Sequence, residues 1–488
     1  MNIVWVTSEA APYAKTGGLA DVSASLPMSL AEDGHHVSVI MPYYPQVMKQ
    51  YIKEASPIGM PVGVPFGDGE NWVQLHKIKI NNNLSFYFVE FNAYFDRPKL
   101  YDWNGEEYDD NAQRYIFFCR AAMQSILSLG ITPDIIHTND WHAALCNVYL
   151  KSHLYKDIPN FKDCRSVISI HNIGYQGVYD KSNMSYTGLG WDYFNHLSLE
   201  FHDQINLLKA GIGAADMVST VSPTYAEEIL SDEYGFNLNR TLQHRAATGH
   251  LRGILNGIDV TEWNPEIDEL IPANFNADDL SGKALCKAGL QKKLGLTVRD
   301  DVPLFGLVSR LAHQKGIDVL IPAIEDMLIN DDVQFAVVGS GEYWQECIFS
   351  DFAERFPEKF RCFIGYNNQL AHMVEAGCDF FTMPSRYEPC GLNQMYSMRY
   401  GTVPIVRATG GLEDTVINYS AKDIETCTGF KFWDLYPESV SGTMRWAASV
   451  YKNDKAGFYK MVHNGMTTDF SWQHTATLYE ELYVDAHR

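Results

Sequence analysis

Short apolar runs alternate with helix-length stretches, and the alternation occurs twice along this chain. No other feature restricts the fold as much. In the first half, Ile3–Thr7, Val37–Met41, Ser85–Glu90, Ile135–His137, Ser166–Ile170 and Met217–Val221 read as strands. Helix-length segments such as Asn111–Leu129 and Ala143–Leu154 lie between several of them. Strand–helix–strand alternation predicts a parallel, doubly wound sheet. The period lapses over 257–272, where Trp263-Asn264-Pro265 and Ile271-Pro272 interrupt it, so an interdomain linker is expected there. It restarts with Leu304–Val308 and a helix from about Gly316, then Gln334–Val338, Arg361–Ile364, Phe380–Met383 and Val403–Val406. The chain has 488 residues, too many for one hydrophobic core, so two domains or three are expected, each doubly wound α/β where the pattern holds. From Asp469 onward, Phe470-Ser471-Trp472 and then Thr475–His487 read as a terminal amphipathic helix.

Charge narrows the partners. A net charge of −22 repels polyphosphate backbones, so no nucleic acid is expected as a partner. A neutral polysaccharide is compatible with such a surface. Any phosphate site must then be built locally from a few cations and backbone amides. The apolar runs are too short for a membrane span, and no membrane partner is expected. Asn2-Ile3-Val4-Trp5-Val6 carries no basic n-region and reads as a buried strand. Nine cysteines without a Cys-x-x-Cys pair look like reduced thiols, and a cytoplasmic location is expected.

One element occurs twice between a strand and a helix: Thr16-Gly17-Gly18-Leu19-Ala20-Asp21-Val22 and Thr409-Gly410-Gly411-Leu412-Glu413-Asp414. Ligands bind at such strand C-terminal ends in doubly wound sheets. Leu19, Val22, Leu26 and Leu30 follow helical spacing, with a kink or break expected at Pro27. Gly17-Gly18 then lies at a helix start, where free N–H groups favour an anion and Lys15 adds charge. The competing reading is a tight turn beside a solvated lysine.

After a buried strand come Arg310 and Lys315, two cations suited to a diphosphate leaving group. Surface cations of no function are the alternative. Pro384-Ser385-Arg386-Tyr387-Glu388-Pro389-Cys390-Gly391-Leu392 follows another strand. There Glu388 reads either as a carboxylate beside a reacting sugar carbon or as a helix cap. Gly391 permits close backbone approach to a ligand. Asn139-Asp140-Trp141-His142 and His171-Asn172 follow strands in the first half and supply the donors and acceptors that sugar hydroxyls need. No phosphate-binding Gly-x-x-x-x-Gly-Lys loop is present, and no carboxylate cluster suggests an obligatory metal.

Taken together, these segments resemble the bacterial glycogen synthase and plant starch synthase family over essentially the whole chain. The motifs that carry the resemblance are Lys15 to Val22, Asp140-Trp141-His142, His171 to Gly177, Asn256-Gly257-Ile258-Asp259 with Trp263-Asn264-Pro265, Ser309 to Gly316 and Pro384 to Val416. The family implies a GT-B fold: two Rossmann-like domains, here 1–258 and 259–465, a cleft between them, and a helix at 466–488 crossing back to the first. It implies retaining transfer from ADP-glucose to the non-reducing end of an α-1,4-glucan, with no cofactor and no metal. By matching position, Lys15 and Gly18 touch the donor, and Arg310 and Lys315 bind its diphosphate. Glu388 lies at the reacting sugar. The Cys390, Gly391 and Leu392 backbone holds glucose hydroxyls, and Gly410 and Gly411 approach the phosphates. His171 contacts the glucose and Tyr366 lies near the adenine, with Asp140 and Asn256 beside the sugars. Gly174 replaces the Ala common in the family. Tyr396 stands where sucrose-synthase-type enzymes carry a second Glu. A GT-B enzyme with a small acceptor, or a non-catalytic glucan- or nucleotide-binding protein, are the other readings.

Overall fold

The computed structural model describes all residues from 1 to 488. The chain separates into two compact units: Met1–Gly257 together with Trp472–Arg488, and Ile258–Ser471.

The first unit is built on a nine-stranded sheet. Its strands are β1 (Asn2–Val6), β2 (His36–Pro42), β3 (Ser56–Phe66), β4 (Gly69–Lys79), β5 (Leu84–Glu90), β6 (Ile135–Asn139), β7 (Arg165–Ile170), β8 (Met217–Thr220) and β9 (Leu251–Gly253). Their order is β9-β8-β7-β6-β1-β2-β5-β4-β3. The strands from β9 to β5 pair in parallel. Ile3, Val4, Trp5 and Val6 are all buried, because helices cover both faces of a parallel sheet and leave no polar alternation. β4 pairs antiparallel with β5 and with β3, a hairpin that the apolar pattern does not show. Pro57, Pro61 and Pro65 in β3 imitate a loop, but an edge strand tolerates proline because one side of its ladder is empty.

Helix α1 (Gly18–Glu32) continues through Pro27, contrary to the break expected there. Proline removes one intrahelical donor, while Leu19, Val22, Leu26 and Leu30 bury the inner face on both sides of it. Trp5 Nε1 donates to Ser23 Oγ at 3.1 Å, and Ser23 Oγ donates to Thr7 Oγ1 at 3.0 Å, so α1 is pinned to β1. Helix α2 (Asn111–Ser128) matches expectation. The helix expected at Ala143–Leu154 is shorter and divided, with pieces at Asp140–Ala143 and Leu145–Lys151.

In the second unit, β10 (Leu304–Leu311), β11 (Gln334–Gly341), β12 (Phe360–Ile364), β13 (Phe380–Met383), β14 (Val403–Arg407) and β15 (Phe430–Phe432) form one sheet. Its order is β12-β11-β10-β13-β14-β15 and every pair is parallel. This is the dinucleotide-fold order, in which the winding reverses between the first and fourth strands. Three helices matter for the site: α3 (Ile317–Asn330), α4 (Asn393–Arg399) and α5 (Gly410–Thr415).

The stretch expected to be a linker is anchored in this second unit. Trp263 stacks between His372 and Tyr396, with ring centroids 4.0 and 3.9 Å away. Asp268 accepts from Tyr400 Oη at 2.7 Å and pairs with His372 Nδ1 at 2.8 Å. Irregular backbone therefore does not mean a loose tether here.

The last helix, α6 (Trp472–Ala486), packs on the first unit. Tyr479, Leu482 and Tyr483 are fully buried. Tyr483 Oη meets His137 Nδ1 at 2.8 Å, His137 Nε2 meets Ser169 Oγ at 2.7 Å, and Ser169 Oγ meets Ser219 Oγ at 2.6 Å. Burial holds His137 well below the usual imidazole range, so this chain is one of neutral groups. At the rim, His35–Glu480 and Arg252–Asp485 pairs add about 0–1 kcal/mol each. We expect Tyr483→Phe to cost about 1–3 kcal/mol, since it strands a buried ring nitrogen. Tyr483→Ala should cost about 3–5 kcal/mol in urea unfolding. Unchanged unfolding in both variants would show that α6 adds nothing to the first unit.

Candidate active site

Each sheet reverses its winding once, and most of the sequence-derived candidates gather at those two places. In the second unit the reversal lies between β10 and β13. After β10, a single 3-10 turn, His313–Lys315, ends at Gly316, whose φ is +67°. A Cβ there would collide with the Pro384 carbonyl, so the turn lies directly against the loop that follows β13. That contact brings Lys315 Nζ to 2.5 Å from Glu388 Oε2. Ser385 Oγ also donates to Glu388 Oε2, at 2.9 Å. Glu388 is 6% exposed, and its carboxylate has a cation and a hydroxyl within reach.

Glu388 is not a helix cap. The N-terminus of α4 falls at Leu392 and has no side-chain cap. Gly391 adopts φ +70°, a left-handed conformation that L side chains rarely adopt. Gln394 Nε2 donates to the Cys390 and Gly391 carbonyls at 3.1 and 2.9 Å and fixes that bend. The second glycine pair starts α5 and is buried. A Cβ on Gly410 would strike the Glu388 carbonyl oxygen, and one on Gly411 would strike that of Cys390. The immediate reason for these two glycines is thus the loop that carries Glu388. Arg310, near the end of β10, is exposed, and Tyr366 is 78% exposed with its hydroxyl on Asn368 Oδ1 at 2.9 Å. The position of a second Glu is filled by Tyr396, stacked on Trp263.

In the first unit the reversal lies between β1 and β6. The first glycine pair differs from the second. Gly17 caps α1 and would meet nothing if it carried a Cβ, and Lys15 pairs with Asp21 at 2.6 Å. The residue that shapes this turn escaped the sequence reading. Glu9 accepts from the Thr16 N–H at 2.5 Å and from Thr16 Oγ1 at 2.9 and 3.0 Å. Burial outweighs those donors and pushes its carboxyl up to about 7. No local pattern marks Glu9; only its place after β1 could have suggested it.

Asp140 follows β6 with φ +50°, a left-handed conformation for a non-glycine residue. Its carboxylate accepts the His171 N–H at 2.8 Å, tying the β6 and β7 ends together. Burial pushes this carboxyl up to about 7, against the backbone donors His171 and Asn172. Asn139 Nδ2 donates to the Val6 carbonyl at 3.1 Å, which turns its Oδ1 toward His171 Nε2, 2.9 Å away. An oxygen acceptor there requires the Nε2–H tautomer and makes Nδ1 the acceptor nitrogen. Burial lowers the His171 pKa to about 3, so the ring is neutral and serves as a hydrogen-bonding group. Asn256 closes the first unit with its side chain buried and its Oδ1 without a hydrogen-bond partner. No three His, Cys, Asp or Glu side chains come together as a metal-binding group. No helix is long and apolar enough to cross a membrane.

Comparison with known proteins follows the same division. The starch synthase catalytic domain family matches residues 2–244, and glycosyl transferases group 1 matches residues 292–432. Glycogen synthase 1 of Geobacter metallireducens is 44% identical over 490 residues, covering 100% of this chain and 96% of that protein. Glycogen synthase of Anaeromyxobacter sp. strain Fw109-5 is 43% identical, covering 99% of each. Among solved structures, the catalytic domain of starch synthase IV from Arabidopsis thaliana, bound to ADP and acarbose, matches with a TM-score of 0.88 at 33% identity. That match covers 100% of this chain and 99% of the other. Sucrose-phosphate synthase from Thermosynechococcus elongatus, at 18% identity and a TM-score of 0.61, shares the fold. With GT-B architecture and full-length identity of this order, the chain belongs to the glycogen and starch synthase family of glycosyltransferases.

Proposed function

We propose that this chain transfers glucose from ADP-glucose to the non-reducing end of an α-1,4-glucan, with retention at the anomeric carbon and release of ADP. The observation that carries the reading is the Lys315–Glu388 pair at the winding reversal of the second unit. It stands in a chain that matches glycogen synthases from end to end. The second unit is assigned the donor. Arg310 and Lys315 are assigned the diphosphate, Glu388 the reacting glucose, and the Cys390–Leu392 backbone its hydroxyls. Gly410 and Gly411 lie beside the phosphates, and Tyr366 faces the adenine. From the first unit, Lys15 and Gly18 are assigned to the donor. Neutral His171, with Asp140 and Asn256, is assigned to sugar hydroxyls.

A double displacement with retention needs two carboxylates about 5 Å apart. The side chains hydrogen-bonded to the Glu388 carboxylate are Lys315 and Ser385, and no second carboxylate is a candidate beside it. A front-face transfer fits better. As the bond from C1 to the phosphate oxygen breaks, the acceptor 4-hydroxyl oxygen bonds to C1 on the same face. Its proton passes to the departing phosphate. Lys315 and Arg310 neutralise charge growing on that phosphate, and Glu388 steadies the cationic carbon. Metal and cofactor have no step in this scheme.

Lys315→Ala and Glu388→Ala should each lower kcat about a hundredfold, roughly 3 kcal/mol, and raise the donor KM far less. Initial rates with ADP-glucose and glycogen check this, and near-wild-type kcat in either variant would remove the role given to that residue. With labelled ADP-glucose and UDP-glucose in competition, glycogen should gain label mainly from ADP-glucose. Unlabelled polymer beside a labelled small product would instead indicate a small-acceptor enzyme.

A further inference from the structure

We propose that Arg386 is a positioning residue that holds Lys315 and Glu388 in register without touching either substrate. The inference rests on the roles assigned above to that pair.

Arg386 lies in the loop after β13, and its guanidinium reaches the turn after β10. Its Nη1 and Nη2 donate to Asp318 Oδ1 and Oδ2, each at 2.7 Å. Nη1 also donates to the His313 carbonyl at 2.9 Å. The Arg386 main-chain N–H donates to the Gln314 carbonyl at 2.8 Å. In return, Gln314 Nε2 donates to the Tyr387 carbonyl at 3.3 Å. The Arg386 carbonyl accepts from Arg407 Nη1 at the end of β14. Residues 313, 314 and 318 bracket Lys315, while 386 and 387 adjoin Glu388. Every one of these bonds lies beside the ion pair, and none is made by it.

A planar fork that engages a carboxylate at two points fixes both distance and orientation. A lysine ammonium is a point charge and cannot reproduce the second contact. Lys315 swings on four methylenes and can meet a phosphate only from where its backbone is held. The fork is partly open to water, with side-chain exposures of 26% and 30%, so its worth lies in geometry more than in stability.

The test uses the full chain with ADP-glucose and glycogen, comparing Arg386→Lys in the native, Lys315→Ala and Glu388→Gln backgrounds. Positioning predicts that Arg386→Lys lowers kcat about tenfold and moves the donor KM less than about twofold. In either background that lacks a partner, the same substitution should change kcat less than about twofold. Equal losses in all three backgrounds, or native kcat in Arg386→Lys, would overturn the proposal. If Lys315→Ala alone keeps native kcat, the reading of Lys315 fails, and the Glu388→Gln background still decides the coupling. Should Arg386→Lys unfold in a urea titration, Asp318→Asn removes the fork from its other end and is judged by the same numbers.

Discussion

The approach of the Gly410–Gly411 backbone to the carbonyls of Glu388 and Cys390 leaves no room for a Cβ at either position. Much of the second unit's site depends on that contact. It seats the loop after β13 on the start of α5, and the loop carries Glu388. On the opposite side the same loop presses on Gly316, which sets Lys315 across from Glu388. Three glycines from two different segments thus place one carboxylate, because close-packed interiors transmit the absence of a single methyl group.

The two Thr-Gly-Gly elements look alike in sequence and differ in physics. The second is a buried packing joint. The first is open at Gly17 and is held by a carboxylate, Glu9, lying under its Thr16. In the first unit, buried acids accept backbone N–H groups and so tie loop to loop. Glu9 secures the turn before α1, and Asp140 secures the loop after β7. Both carboxyls are pushed up to about 7 by burial, so at neutral pH a good part of their population is uncharged. His171, pushed the other way, carries no charge either. These three groups offer hydrogen-bonding polarity with little fixed charge.

The strands buried on both faces were legible in the sequence because they read as continuous apolar runs, and with them came the winding and the loops where candidates could lie. The β3–β4 hairpin was not, because Pro57, Pro61 and Pro65 carry the signature of a loop while an edge strand accepts them. Helix α1 passed Pro27 because tertiary burial overrode a local preference. Residue types at the site could be read from loops that follow strands, yet their partners could not. Asp140 meets an N–H at position 171 and Arg386 meets a carboxylate at 318, and no local spacing encodes such pairings.

Helix α6 gives the first unit a property that its sheet alone does not show. The unit's first 257 residues are synthesised first, but Tyr479, Leu482 and Tyr483 follow only after the whole of the second unit. Until then, His137 has no phenol beside it and the groove that α6 fills lies open to solvent. The intervening unit is continuous in sequence and can close during synthesis, as domains generally do. Completion of the earlier unit therefore waits until the whole of the later one has been made, and a nascent chain stalled within the second unit carries an unfinished core in its first.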